Sequence, residues 1–121
     1  MDPAFRTEAG TVAGLSEARA IHIHGRVTHR DAGRLRESLL REVERTSARR
    51  VIVELSHVES LDTAGAAVLV EVLHAAQQRD IKLVLCAPSK SVLRMFRLAG
   101  FAEVLDYCCA GLDEARSRLE E

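Results

Sequence analysis

Two runs of this chain, "RRVIVELS" from Arg49 and "IKLVLCA" from Ile81, have nearly continuous apolar centres, Val51 to Leu55 broken only by Glu54 and Leu83 to Ala87 unbroken. A strand with one wet face alternates apolar and polar side chains, so a near-continuous apolar run marks a strand covered on both faces. Such a strand belongs mid-sheet. Between the two runs, Leu69, Leu73 and Ala76 form a stripe at helical spacing, with Ala66 and Ala67 small enough for close packing. A helix that crosses between neighbouring strands leaves them parallel, so this middle third alone points to an α/β domain.

The flanking segments extend that pattern. "ARAIHIHG" alternates, with Ile21 and Ile23 on one face and His22 and His24 on the other, and reads as a half-buried strand ending at Gly25. From Thr28 the period changes: Leu35, Leu39 and Val43 fall four apart among Arg and Glu, the apolar stripe of a helix. After the second apolar run, Pro88 closes the strand. "KSVLRMFRLAG" then reads as a helix with Val92, Phe96 and Ala99 inward and Gly100 as its C-terminal stop. A brief strand over "EVLDY" and a helix over "LDEARSRLEE" complete the predicted elements.

At 121 residues and 47% hydrophobic, the chain can build one modest core. Its 17 basic and 18 acidic side chains are spread along the chain, so no electrostatic footprint for nucleic acid or an anionic membrane is present. The longest apolar stretch, Ala64 to Ala76, is broken by Glu71 and His74 and falls short of the ~20 residues a spanning helix needs. "MDPAFRTEAG" has no apolar signal-peptide core, and three cysteines, two of them adjacent, imply no disulfide framework. A cytoplasmic protein without direct membrane insertion is expected.

The tetrapeptide Asp62-Thr63-Ala64-Gly65 lies where the first apolar run gives way to the helix that continues to about Arg79. Local chemistry allows two readings. Asp62 or Thr63 can be an ordinary N-cap, its oxygen accepting an orphan N–H of the first turn for about 1 kcal/mol. Alternatively, a hydroxyl exposed at a strand-to-helix junction is aimed by rigid elements, and a phosphoryl group there would add roughly two negative charges at the positive helix end.

"RVIVELSHVESLDTAGAAVLVEVLHAAQQRDIKLVLCAPSKSVLRMFRLAGF" resembles the STAS domain of bacterial anti-sigma-factor antagonists: a strand, Asp-Ser/Thr-x-Gly, a small-residue helix, a strand like "LVLCAPS" and a helix closing at Gly-Phe. "HIHGRVTHRDAGRLRESL" resembles the first strand, turn and helix of the same family. The resemblance implies a single STAS-like α/β domain over residues 17–121, a mixed β-sheet of about four to five strands flanked by about four helices, after a flexible N-terminal segment 1–16. It implies no catalysis and no cofactor. The family's unmodified antagonist binds an anti-sigma factor, often a serine/threonine kinase, and so frees a sigma factor. Phosphorylation at the helix start ends that binding, and a phosphatase restores it.

Carried over residue by residue, Asp62, Thr63 and Gly65 match the family motif, whereas the usual acceptor position is Ala64. Thr63 is therefore the phosphorylation candidate, and Ser60, Asp62, Thr63, Ala64 and Gly65 are the expected partner-binding residues. Asp62 would orient the turn, and Gly65 would let a partner's backbone approach. STAS subunits of bacterial lipid-transporting ABC systems also carry an Asp-Thr-small-Gly motif but tend to end sooner, and stressosome-type scaffolds form a third branch. "KLVLCAPSKSVLRMFRLAGFAEVL" with a terminal helix resembles the antagonist branch over its full length.

Other constellations carry less. His22 and His24 share a strand face, but His29, His57 and Asp31 offer no ligand spacing, so no metal site is expected. Cys108 with Cys109, or Ser60 with His57 in the loop before the Asp-Thr turn, lack the orienting group a nucleophile requires. Gly10, Gly14 and Gly25 make no phosphate-binding loop. Arg41, Arg45, Arg49 and Arg50 are interleaved with Glu42 and Glu44, the pattern of a solvated, ion-paired helix.

Overall fold

In the computed structural model, residues 5–120 are described. The elements are β1 (Phe5–Thr11), β2 (Ala18–Val27), α1 (Ala32–Arg45), β3 (Arg50–Leu61), α2 (Thr63–Gln78), β4 (Lys82–Cys86), α3 (Lys90–Leu98), a 3₁₀ helix (Ala102–Tyr107), β5 (Cys108–Cys109) and α4 (Leu112–Leu119). The five strands form one mixed sheet in the order β1-β2-β3-β4-β5. β1 runs antiparallel to β2, and every later pairing is parallel. The two continuous apolar runs are β3, at the centre, and its neighbour β4.

The helices divide unequally between the faces. Leu35, Leu39 and Val43 of α1, Leu69, Leu73 and Ala76 of α2, and Val92 and Phe96 of α3 share one cluster with Ile21, Ile23, Val51, Val53 and Leu85. On the opposite face α4, through Ala115 and Leu119, covers Ala18, Ala20, Ile52, Val84, Cys86 and Cys109. Beyond the reach of α4, that second face continues as polar residues. Ala99, expected inward, is the half-buried C-cap of α3, and the left-handed turn (φ +82°) falls on Gly100 as expected.

Three segments depart from the sequence-based expectation. Residues 5–11, expected to be flexible, form the edge strand β1, with Phe5 buried and the Arg34 guanidinium 5.3 Å from its ring centroid. Of the rest of that segment, residues 12–16 belong to the connection to β2, with Leu15 buried, and residues 1–4 lie outside the described residues. β2 and β3 run further than predicted because two register shifts, between His22 and His24 and between Gly25 and Arg26, absorb extra residues of β3. Gly25 does not end the strand but sits at the second shift with φ +101°, and His57 and Ser60 belong to β3 rather than to a loop. "EVLDY" is not a strand: Phe101, Val104 and Tyr107 turn inward three residues apart, the period of a 3₁₀ helix, and Cys108–Cys109 is the strand.

Candidate functional site

The C-terminal ends of β2 and β3 lie side by side, and each leads into a helix. Asp62 closes β3 in an extended conformation, its backbone N–H donating to Val27 O at 3.2 Å and so tying the junction to the end of β2. Its side chain accepts the Gly65 N–H at 3.1 Å, and its carbonyl accepts the Ala66 N–H at 2.9 Å. The carboxylate is thus the N-cap of α2, and satisfying an orphan donor in this way contributes about 1 kcal/mol. It also stays 39% exposed, with His29 Nδ1 3.9 Å away.

Thr63 is the first residue of α2 and is exposed. Its hydroxyl donates to Met95 Sδ at 3.7 Å, which places α3 beside the helix start. Ala64 is half-buried, and Ser60 lies exposed on β3 opposite Arg26 of β2. Ser60, Asp62 and Thr63 therefore share one accessible edge of the molecule.

Gly65 has a different role from the one its motif suggests. It is buried, and a Cβ added there would lie 2.5 Å from Leu61 Cδ1 and 3.0 Å from Val27 Cγ1. The missing side chain makes room for the protein's own core, not for a partner's backbone. Glycine lets α2 sit directly on the ends of β2 and β3, and that close seating aims Thr63 outward.

The neighbouring helix start is built for stability. Asp31 precedes α1 and is almost fully buried; it accepts from the Thr28 N–H at 3.1 Å, the Thr28 hydroxyl at 3.0 Å and Arg34 Nη2 at 2.9 Å. Those bonds, the Thr28 N–H foremost, hold its carboxyl below the ordinary aspartate value of 3.8. His29 and Met95 escape sequence reasoning because the first lies 33 residues and the second 32 residues from its contact (62 − 29 and 95 − 63). The one local signal is "THRD", whose Thr-x-x-Asp spacing marks a helix start in its own right.

The histidine constellation lies on the second face, beyond the part that α4 covers, whereas Cys86 and Cys109 lie under α4 and Cys108 packs against the first cluster. Glu8, His22, Glu54, Cys86 and Cys109 are successive register partners, one from each strand. His24 stacks on His57 at 5.0 Å between ring centroids and 7° between planes, and on His22 at 6.4 Å. Among the described residues, no group of three or more His, Cys, Asp or Glu is arranged to hold a metal ion. Burial acts to raise the Glu54 carboxyl, but bonds from the Ser56 hydroxyl and N–H, the latter at 2.6 Å, outweigh it and hold the group low. Burial also pushes up all three thiols, Cys108 to about 11, so little nucleophilic thiolate forms at neutral pH.

Comparison with known proteins places this geometry. The model of the STAS domain family matches residues 11–115, nearly the whole described fold. The chain belongs to the STAS domain family. The unphosphorylated anti-sigma-factor antagonist SpoIIAA superposes with a TM-score of 0.72 at 18% identity, covering 97% of this chain and 96% of that one. An anti-sigma-factor antagonist from Mycobacterium paratuberculosis gives 0.74 at 18% identity over 97% and 95%. At that identity the likeness shows the fold. Sequence similarity leads elsewhere: sulfate transporter 1.2 of Arabidopsis thaliana is 36% identical over 55 residues, 46% of this chain. The matched segment is 8% of that transporter's length, so this STAS chain spans less than a tenth of the curated relatives it matches. Among the described residues no helix is long and apolar enough to cross a membrane.

Proposed function

We propose that this STAS domain is a non-catalytic binding module of the anti-sigma-factor antagonist kind, acting in the cytoplasm. Its surface around Ser60, Asp62, Thr63 and Ala64 engages an anti-sigma factor of the serine/threonine-kinase type, and the sigma factor is released by competition. One observation carries the reading: Thr63 presents an exposed hydroxyl on the first turn of a 16-residue helix whose start is pinned by Asp62 and by the close seating of Gly65. A partner therefore meets a preformed surface and orders little on binding.

The same geometry accounts for a switch. A phosphoryl group on Thr63 would bring roughly two negative charges to the helix start, favoured by the helix dipole but set beside the Asp62 carboxylate. Buried in an interface without cationic partners, those charges would cost several kcal/mol and release the partner. Removal by a phosphatase resets the module. Ala64 leaves Thr63 as the motif's only hydroxyl, so a kinase acting here must use it.

The local identity with a sulfate transporter favours a second reading, in which the module docks on a membrane transporter through the same surface. Affinity purification of the tagged protein from its native cells, with mass spectrometry of co-purifying proteins and of the peptide holding residues 62–65, separates the two. A small serine kinase, with or without phosphate on Thr63, supports the antagonist. A permease with its ATPase, or a sulfate transporter, replaces that reading with the second.

A further inference from the structure

The sheet has two very different edges. At one end β5 is two residues long and lies under α4. At the other, β1 pairs with β2 through seven consecutive register partners, Phe5 with Gly25 through Thr11 with Arg19, with no shift anywhere in the ladder. Among the described residues, no strand lies on its outer side. The backbone groups pointing outward from Phe5–Thr11 form an open row, and the strand contains neither proline nor a bulge, two devices that close natural edges.

We propose that this edge is an interface between two copies of the chain, joined by antiparallel pairing of β1 with β1 into a ten-stranded sheet. A two-fold axis that brings the same strand edge to edge must stand perpendicular to the sheet, so residues on one face meet only residues of that face. The axis can pass through Arg6, Thr7 or Glu8. Centred on Arg6 it sets two arginines opposite each other, and centred on Glu8 it sets two glutamates opposite each other. Centred on Thr7, Arg6 of each copy faces Glu8 of the other, Thr7 faces Thr7, and Phe5 faces Ala9.

Charge therefore selects one register. Arg6 and Glu8 already lie 3.3 Å apart on the open face within one chain, and their side chains are 64% and 61% exposed, free to redirect across the seam. Opposite charges directly across an antiparallel pair stabilise it, as does a Thr–Thr pair, each by about 0.2–1 kcal/mol, whereas like charges there oppose it. Phe5 and Thr7 point to the other face, where the Thr7 hydroxyl lies 2.9 Å from that of Ser38, so α1 buttresses the edge against twisting away. The short overlap makes this a reversible dimer, and it leaves Asp62 and Thr63 outside the seam.

The test is sedimentation equilibrium of the full chain over a roughly thousand-fold concentration range, for the wild type, R6E, E8R and the double swap R6E/E8R. The proposal expects a wild-type dimer, about ten-fold or more weakening in each single swap because both symmetric pairs become repulsive, and recovery in the double swap. Circular dichroism of each variant checks that the fold is retained at these exposed positions. A chain monomeric at every concentration overturns the proposal. So does a dimer indifferent to both single swaps, which would place the contact elsewhere.

Discussion

The two helix starts at the C-terminal ends of β2 and β3 are neighbours in space and alike in plan, each preceded by an aspartate. They differ in what the carboxylate does. Asp31 is buried and turns its hydrogen bonds on the chain itself, accepting twice from Thr28 and once from Arg34. Asp62 makes one cap bond, remains substantially exposed, and is followed by an exposed hydroxyl. An internally satisfied aspartate locks a turn, whereas a partly used one on a rigid support is free to bind. Asp31 thus serves the turn before α1, and under the proposed function Asp62 serves binding as well as capping α2.

The sharpest way to break the comparison is Asp31→Ala. It removes the nearly buried acceptor shared by the Thr28 N–H, the Thr28 hydroxyl and the Arg34 guanidinium, so it is expected to cause the largest fall in Tm of any substitution at either helix start while leaving partner affinity in the folded protein unchanged. A loss of affinity without loss of Tm would reverse the assignment. The same carboxylate should be visible in pH dependence. Its folded pKa lies below the ordinary 3.8, so its stabilisation is complete above that value and is lost as pH falls through the folded pKa. Wild-type Tm should therefore drop more steeply below about pH 4 than that of Asp31→Asn, followed by calorimetry.

Gly65→Ala comes next. Its Cβ would press on Leu61 and on the stiff Val27, and overpacking of this kind costs about 1–3 kcal/mol, read from urea denaturation. An unchanged midpoint would mean that Leu61 turns aside and that the seating of α2 is looser than the contacts imply. Asp62→Ala should lose only about 1 kcal/mol of stability, the cost of a cap, but weaken partner binding. Affinity equal to wild type by titration calorimetry would remove Asp62 from the interface. The smallest stability effect belongs to Thr63→Ala, within about 0.5 kcal/mol of wild type because the side chain is exposed. That variant should nonetheless take up no labelled phosphate from the partner kinase, and continued labelling would send the modification elsewhere.

Much of this architecture follows from local pattern. β3 and β4 were legible as continuous apolar runs, α1 and α2 as stripes at helical spacing, and the start of α2 as an aspartate cap, because each depends on residues a few positions apart. Where reading stopped short, longer-range forces decided. β1 has no strong apolar alternation and became a strand because β2 offered it a ladder and α1 a place for Phe5. Of the two register shifts, the one at Gly25 is marked by a glycine that was read as a strand end, whereas the one between His22 and His24 arises from pairing between strands and leaves no mark within β2.

The sequence by itself determined the α/β order, the family and the identity of the candidate hydroxyl, since periodicity and a tetrapeptide are local properties. Only the tertiary structure decided that Gly65 serves the core rather than a partner, that His29 and Met95 flank the site, that the histidines share an open sheet face, and that β1 carries no further strand among the described residues. Each of these depends on which surfaces meet when distant segments pack, and packing excludes a Cβ or brings a sulfur to a hydroxyl at separations that sequence spacing does not encode.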